Sequence, residues 1–290
     1  MEGVLNQVIS GIATGGIYAS IALALVMIFL ATRQINFAQG EMAMFSTFVA
    51  LALIQAGAPY WVAFVLTVAF SFVMGLLLQR FVLQPLSQAP LLASVGAFLG
   101  LLLIYNNVAG WIFGYSLKPF PTPFGAGAPL FGGMISRHEL GSTMVTMIVL
   151  VSIWAFFRYT RIGLAMRAAA YNPMSSRLVG MPVTRMLALG WGLAAGIGAI
   201  AGMMVAPIVF LDPNMMAGVL LYAFAAALLG GITSPIGAVV GGVLMGVIEN
   251  LAGAYVVGTE LKLTTALVII VVVLVFKPSG LFGKTLASRV

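Results

Sequence analysis

The sequence contains no cysteine, a single histidine and only six acidic residues among 290. The absence of cysteine excludes disulfides, thiolate catalysis and cysteine-ligated metals. One histidine cannot build a metal site, because zinc takes three or four protein ligands. No acid–base pair and no nucleophile motif is present, so an intramembrane hydrolase has no support in the sequence. We therefore identify no catalytic and no metal-binding residues.

Hydrophobic residues make up 62% of the chain and charged residues 7%, with a mean hydropathy of +1.15. These values exclude a soluble globular protein and indicate a chain embedded in the lipid bilayer. The formal net charge of +7 does not indicate nucleic acid, because the basic residues are spread along loops between apolar runs. The first apolar run, Val4–Ala31, is too long for the core of a signal peptide and reads as a retained span.

The apolar runs predict an all-α, polytopic transmembrane helical bundle of eight or nine spans, because a helix needs about 20 residues to cross the hydrocarbon. Residues 1–290 are expected to form a single transmembrane domain. The predicted spans are Val4–Ala31, Asn36–Gln55, Tyr60–Phe81, Leu91–Trp111, Leu140–Phe157, Met186–Phe210, Asn214–Leu229, Pro235–Tyr255 and Lys262–Phe276.

Charge orients these spans. With nine spans and a cytoplasmic C-terminus, the inner loops carry ten basic residues, namely Arg33, Arg80, Arg158, Arg161, Arg167, Arg177, Arg185, Lys277, Lys284 and Arg289. The outer loops keep three, namely Lys118, Arg137 and Lys262. The positive-inside rule favours this orientation.

The inner loop 158–185 gathers five of the arginines and two prolines. Gly163–Ala170 is rich in helix formers, and Pro173 ends that helix before it. Asn172 is a good N-cap and Pro173 a good first residue for a second short helix, Pro173–Val179, which ends at Gly180. This helix would present apolar side chains. Docking in the groove of a partner and lying on lipid headgroups are both consistent with the sequence.

The segment Arg33–Glu41 opens the second span. Asn36 and Gln39 are spaced like a capping box, which predicts a helix that begins at Asn36. Glu41 then lies just inside the membrane, where a carboxylate must face protein or water. Pairing with Arg33 or exposure at the interface is the simplest explanation for Glu41.

A second break is Gly230–Gly237, where the glycines end one helix and Ser234 and Pro235 begin the next. It carries no Lys or Arg although charge parity puts it inside. Either it is a tight turn, or it lies within the membrane and its helix N-terminus faces a cavity that attracts a substrate carboxylate. Glu249, further along the same span, is expected to act mainly in packing or hydrogen bonding.

The outer loop 112–139 is stiffened by four prolines and reads as a structured cap. His138 is expected to lie in this loop, within an interfacial cluster with Arg137 and Glu139.

Glycine pairs four residues apart predict close helix packing. These pairs are Gly11/Gly15, Gly96/Gly100, Gly192/Gly196, Gly198/Gly202, Gly237/Gly241 and Gly242/Gly246.

Four segments resemble the LivH/LivM family, the permease subunits of ABC importers for branched-chain amino acids. They are INFAQGEMAM at Ile35–Met44, RIGLAMRAAAYNPMSSRLVGMPVTRM at Arg161–Met186, FAAALLGGITSPIGAVVGGVLMGVIENL at Phe224–Leu251 and KPSGLFG at Lys277–Gly283. The likeness runs over most of the chain, and the compact length is closer to LivH. Departures from the family are Gln39, where relatives commonly have histidine, Asn172–Pro173, where relatives have an acidic residue nearby, and Tyr222, where they often have lysine.

The resemblance implies a bacterial inner-membrane protein that pairs with a LivM-like permease, two ABC ATPase subunits and a periplasmic solute-binding protein. This chain has no P-loop, so the partner ATPases are expected to bind ATP and Mg. No cofactor is expected in the chain itself. The binding protein would dock on outer loops such as 112–139. The coupling residues expected to contact an ATPase are Gly163, Arg167, Asn172, Pro173, Met174, Arg177, Leu178, Val179 and Gly180. The expected substrate-pathway residues are Asn36, Gln39, Glu41, Gly230, Gly231, Ser234 and Glu249.

Two other functions stay open at this point. An ion-gradient-driven secondary transporter would need intramembrane carboxylates, and only Glu41 and Glu249 qualify. The same ABC family also includes carriers of urea, short amides and small organic acids.

Overall fold

The computed structural model describes residues 2–32, 34–125 and 136–283. The described residues form helices joined by short turns, and their only β-type pairing is one isolated bridge between Lys118 and Leu211. The helices are α1 Glu2–Thr32, α2 Gln39–Gln55, α3 Tyr60–Leu78, α4 Leu91–Phe113, α5 Arg137–Tyr159, α6 Arg161–Tyr171, α7 Pro173–Leu178, α8 Val183–Val209, α9 Met216–Gly230, α10 Pro235–Tyr255 and α11 Lys262–Phe276. Short π- or 3₁₀-helical turns cover Gln79–Leu83, Pro85–Gln88 and Thr259–Leu261.

The predicted fold class is confirmed, since each of the nine apolar runs is a helix in the part of the chain that the structure describes. Six helices there are long and apolar enough to cross a membrane: α1, α3 with its π-helical extension, α4, α5, α8 and α10. The shorter apolar helices α9 and α11 contain 15 residues each.

The prediction for the start of α2 was wrong by three residues. The helix begins at Gln39 rather than Asn36, and no side chain caps it. Asn36 Oδ1 instead accepts a hydrogen bond from the Ala38 amide at 3.0 Å. This bond to the backbone two residues on is an Asx turn, which competes with helix for the same polar side chain.

The connection predicted to be on the outer side is shorter than 112–139, because α4 runs to Phe113 and α5 begins at Arg137. Its residues 126–135 lie outside the described part of the chain. Ser136 and Glu139 form a capping box: the Ser136 amide donates to Glu139 Oε2 at 2.7 Å and the Glu139 amide to Ser136 Oγ at 3.0 Å. His138 is therefore in the first turn of α5 and is buried beside Phe124, not exposed in a charge cluster.

The described residues fall into two compact units. The first comprises residues within 1–26, 124–147 and 218–290, and the second those within 27–123 and 148–217. In the first unit α1 and α10 meet through glycine: a Cβ added to Gly246 would overlap the Gly11 carbonyl and the Gly15 backbone. Gly242 lies against Ala19 in the same way. Such contacts gain dispersion energy that lipid cannot match.

In the second unit α8 packs against α2, α3 and α6. Its Gly192 faces Phe72 of α3, and its Gly202 faces Ala43 and Thr47 of α2. Gly96 and Gly100 of α4 behave differently, because a Cβ at either position would meet nothing within 4 Å. The close-packing prediction for that pair was wrong.

We predict that Gly246→Ala destabilises the protein by about 1–3 kcal/mol, the usual cost of overpacking. Gly100→Ala is the matched control: it fills open space in a helix and should be neutral or stabilising. Thermal unfolding of the two variants in detergent measures the difference. Equal midpoints for both would contradict the packing assigned to α1 and α10.

Candidate coupling and pathway sites

The loop 158–185, which charge predicts to be on the inner side and which we call the elbow, contains two capped helices. Thr160 caps α6 by accepting a hydrogen bond from the Gly163 amide at 2.9 Å. Gly163 faces α5 so closely that a Cβ there would overlap the Phe156 carbonyl. Gly163, Met166 and Ala169 are buried and form the side of α6 that packs against the rest of the protein. Both α6 and α7 pack on α8.

The predicted caps of α7 are confirmed. Asn172 Oδ1 accepts from the Ser175 amide at 2.9 Å, and Pro173 occupies the first turn. The helix ends before Gly180, whose φ of +81° favours glycine. The Gly180 amide then donates to the Arg177 carbonyl at 3.0 Å. These local bonds fix the position of a helix only six residues long.

The outward face of the elbow is apolar. Leu178 is 80% exposed, Val179 72% and Met174 68%. Leu164 and Tyr171 on α6 are also exposed, and we call these five side chains the elbow surface. The exposed Arg167 and Arg177 belong to the same two helices. An apolar face with charged neighbours on two capped helices fits a docking surface for a protein.

Asn36 and Gln39 form a polar link in the second unit. Asn36 Nδ2 donates to Gln39 Oε1 at 3.2 Å, and Gln39 Nε2 donates to the Ala194 carbonyl of α8 at 2.9 Å. Both side chains are completely buried. Gly198, one turn further along α8, leaves the space that Gln39 occupies.

Glu41 is buried rather than exposed at an interface, so the expectation of interfacial exposure was wrong. Its Oε2 lies 3.5 Å from Asn106 Nδ2 of α4. The same amide group donates to the Pro213 carbonyl at 2.8 Å and to Asn214 Oδ1 at 3.1 Å. Arg33, the expected partner of Glu41, lies outside the described residues.

The break between α9 and α10 is a tight turn closed by the C-terminal segment. Ser234 Oγ caps α10 by accepting from the Gly237 amide at 3.0 Å. The amides of Leu281 and Phe282 donate to the Leu229 and Gly230 carbonyls at 2.8 and 2.9 Å. Gly231, with φ of +108°, lies against the backbone of the same segment. Backbone atoms, rather than a cavity, therefore face Gly230 and Gly231.

Glu249 belongs to a polar network inside the first unit. Tyr18 Oη donates to its Oε2 at 2.6 Å, and Lys262 Nζ lies 3.7 Å from its Oε1. Lys262 also donates to Asn250 Oδ1 at 3.3 Å. The ring of Tyr222 stacks on that of Tyr18 with centroids 5.0 Å apart. Each oxygen of the carboxylate thus has a protein partner.

Comparison with known proteins decides the family. Residues 7–276 match the family model described as "Branched-chain amino acid transport system / permease component". The chain belongs to this permease family. It is 28% identical to the high-affinity branched-chain amino acid transport system permease protein LivH of Salmonella typhimurium, over 99% of this chain and 97% of that one.

Two further relatives come from other lineages. The permease is 28% identical to the high-affinity branched-chain amino acid transport system permease protein BraD of Pseudomonas aeruginosa, over 99% of this chain and 98% of that one. It is 26% identical to a probable branched-chain amino acid transport permease protein LivH of Methanocaldococcus jannaschii, over 91% and 87%. The resemblance drawn from the sequence motifs is confirmed, and the permease is a transport component rather than an enzyme.

Sequence reasoning missed several residues that complete these sites in the permease. Tyr18 is 231 positions from Glu249, and Asn106 is 65 positions from Glu41, so no local pattern could pair them. The C-terminal motif Lys277–Gly283 was noticed only as part of the family resemblance. Neither the hydrophobic periodicity nor the charge pattern of the sequence predicts that this motif contacts the turn after α9.

We predict that Tyr18→Phe destabilises the permease by about 1 kcal/mol, because it removes the donor to Glu249 inside the membrane. Tyr222→Phe is the matched control, since it keeps the stacked ring and removes none of the bonds described. Thermal unfolding in detergent checks both. A Tyr222→Phe variant that loses as much stability as Tyr18→Phe would contradict the assigned network.

Proposed function

We propose that this chain is the permease subunit of an ATP-driven importer in the bacterial inner membrane, with residues 1–290 acting as one permease module. Its cargo would be branched-chain or similar small apolar amino acids, which a periplasmic binding protein delivers. The family match supports the permease role. The cargo class is supported by the relatives, which are named as branched-chain amino acid permeases.

The elbow surface is the observation that carries the energy-coupling part of this proposal. Burying one exposed leucine, methionine or valine side chain gains about 1.5–3 kcal/mol, so three such side chains on α7 and its C-terminus favour a partner that covers them. The exposed arginines and the inner position expected from charge support a cytoplasmic partner. The resemblance implies that it is an ABC ATPase, which binds ATP and Mg.

The family resemblance also implies the other partners. A related, LivM-like permease would complete the translocation pathway, and two ATPase subunits would drive it. The binding protein would dock on the outer connection around 112–139. Asn36, Gln39, Glu41, Ser234 and Glu249 remain proposals for the pathway, and their described contacts show how each is held.

A secondary transporter is the rival function. It would need a carboxylate that exchanges ions, and Glu41 and Glu249 are both hydrogen-bonded to protein side chains. Carboxylates held in this way by protein side chains do not favour ion exchange. No observation in the described residues favours the rival.

Reconstitution tests the proposal. The tagged permease is purified with the proteins that accompany it and reconstituted in proteoliposomes that contain ATP and Mg. We expect ATP-dependent uptake of radiolabelled leucine, isoleucine or valine, with unlabelled urea and acetamide as poor competitors. Uptake by the chain alone with a proton or sodium gradient would overturn the proposal. Strong competition by urea would overturn the cargo class.

We predict that Leu178→Asp abolishes uptake and ATPase co-purification while the permease stays in the membrane. The reason is that burying an unpaired carboxylate in an apolar contact is energetically costly. Val256→Asp is the matched control: Val256 is equally exposed, at 80%, but follows α10 and is not on the elbow. Pull-down and uptake assays check both. Normal uptake by Leu178→Asp would contradict the coupling assignment.

A further inference from the structure

Residues 34–38, between α1 and α2, are not helical. The start of α2 lies beside the middle of α8, where Gln39 meets Ala194. Gln34 Nε2 donates to Ser94 Oγ at 2.8 Å, near the beginning of α4. Five residues later, Gln39 Nε2 donates to the Ala194 carbonyl at 2.9 Å.

The depth of this segment follows from α8, which is 27 residues long. Arg185, near its start, is exposed, and we place the edge of the hydrocarbon there because an arginine is costly inside it. Ala194 comes nine residues later, a rise of about 13 Å at 1.5 Å per residue. The hydrocarbon is about 30 Å thick, so Ala194 and Gln39 lie near its middle. Residues 34–38 therefore run as irregular backbone from the edge of the membrane towards its centre.

Irregular backbone at this depth is tolerated only against protein or water, because lipid offers no hydrogen-bond partners. Here the protein provides the partners. Asn36 Oδ1 accepts from the Ala38 amide at 3.0 Å, and the Asn36 carbonyl accepts from the Gln39 amide at 3.3 Å. Asn36, Ala38 and Gln39 are completely buried.

The helix that holds Gln39 is also the helix that carries the elbow. Both α6 and α7 pack on α8, and all of these elements belong to the second unit. The turn between α9 and α10 differs, because the C-terminal segment closes it with two backbone hydrogen bonds. In the segment 34–38 the side chains of Gln34 and Asn36 form most of the described hydrogen bonds.

We infer that residues 34–38 form an intramembrane hinge, and that Gln39 is a positioning residue that ties this hinge to α8. Movement of the elbow shifts α8, and α8 carries the start of α2 with it through the Gln39–Ala194 bond. The source of the movement rests on the proposed function. The broken helix at Gln34–Ala38 is where the membrane domain changes shape.

The absence of native cysteine makes a labelling test clean for this chain. Ala38→Cys is placed in the complete reconstituted complex and exposed to a small methanethiosulfonate, without nucleotide and with ATP, Mg and vanadate. If the open form rises from about 1% to 10% of the population, labelling accelerates about tenfold. Ala50→Cys is the matched control, because Ala50 is equally buried within the regular part of α2, and it should stay unreactive in both conditions.

Labelling of Ala38→Cys that does not respond to nucleotide, in a complex that takes up solute, would overturn the hinge. If Ala38→Cys does not assemble, Ile35→Cys is used with the same criterion. A wild-type complex that assembles but shows no ATP-dependent uptake overturns the proposed function instead, so the two failures are distinct.

Gln39→Met tests the positioning role, because it keeps the length of the side chain and removes both hydrogen bonds. We expect solute taken up per ATP hydrolysed to fall about threefold to tenfold, in line with the strength of such bonds in membranes. A purely structural role would lower the amount of assembled complex and leave the uptake per ATP unchanged. That result would overturn the assignment of Gln39.

Discussion

Lipid hydrocarbon cannot form hydrogen bonds, and this constraint explains the placement of polar groups in the described chain. A side chain with donors or acceptors must find its partner in the protein, as Gln39 does at the Ala194 carbonyl and Glu249 at Tyr18. Backbone groups freed at helix ends follow the same rule. The carbonyls of Leu229 and Gly230 at the end of α9 are satisfied by the amides of Leu281 and Phe282.

Small residues allow the helices to associate within lipid. Lipid is as apolar as the helices, so helices associate only where their packing is better than packing with lipid. Glycine gives α1 and α10 that advantage in one unit, and α8 gains it against α2 and α3 in the other. Because α8 also packs against α6 and α7, it connects the elbow to α2 and α3 within its unit.

Features determined by neighbours in the sequence could be predicted. The caps of α7 depend on Asn172, Pro173 and Gly180, which are all within a few residues of the helix, and the structure has them as expected. Asn36 shows the limit of such reasoning, because its side chain can either cap a helix or form an Asx turn. The choice between the two depends on the contact of Gln39 with α8, which the local sequence does not reveal.

Contacts between distant residues could not be predicted. Gly96/Gly100 and Gly242/Gly246 have the same spacing, yet a partner helix faces only the second pair. Spacing identifies a face of a helix and not what covers it. The pairing of Tyr18 with Glu249 and of the C-terminal segment with α9 likewise depends on the order in which helices pack, which composition and charge do not encode.

The proposed energy coupling requires the elbow to lie on the cytoplasmic side, where a nucleotide-driven partner can reach it. Single cysteines at Met174 on the elbow and at Leu117 on the outer connection test this directly, since both side chains are 68% exposed. A membrane-impermeant maleimide added to spheroplasts should label Leu117→Cys at once and Met174→Cys only after the membrane is permeabilised. Labelling of Met174→Cys in intact spheroplasts would contradict the account.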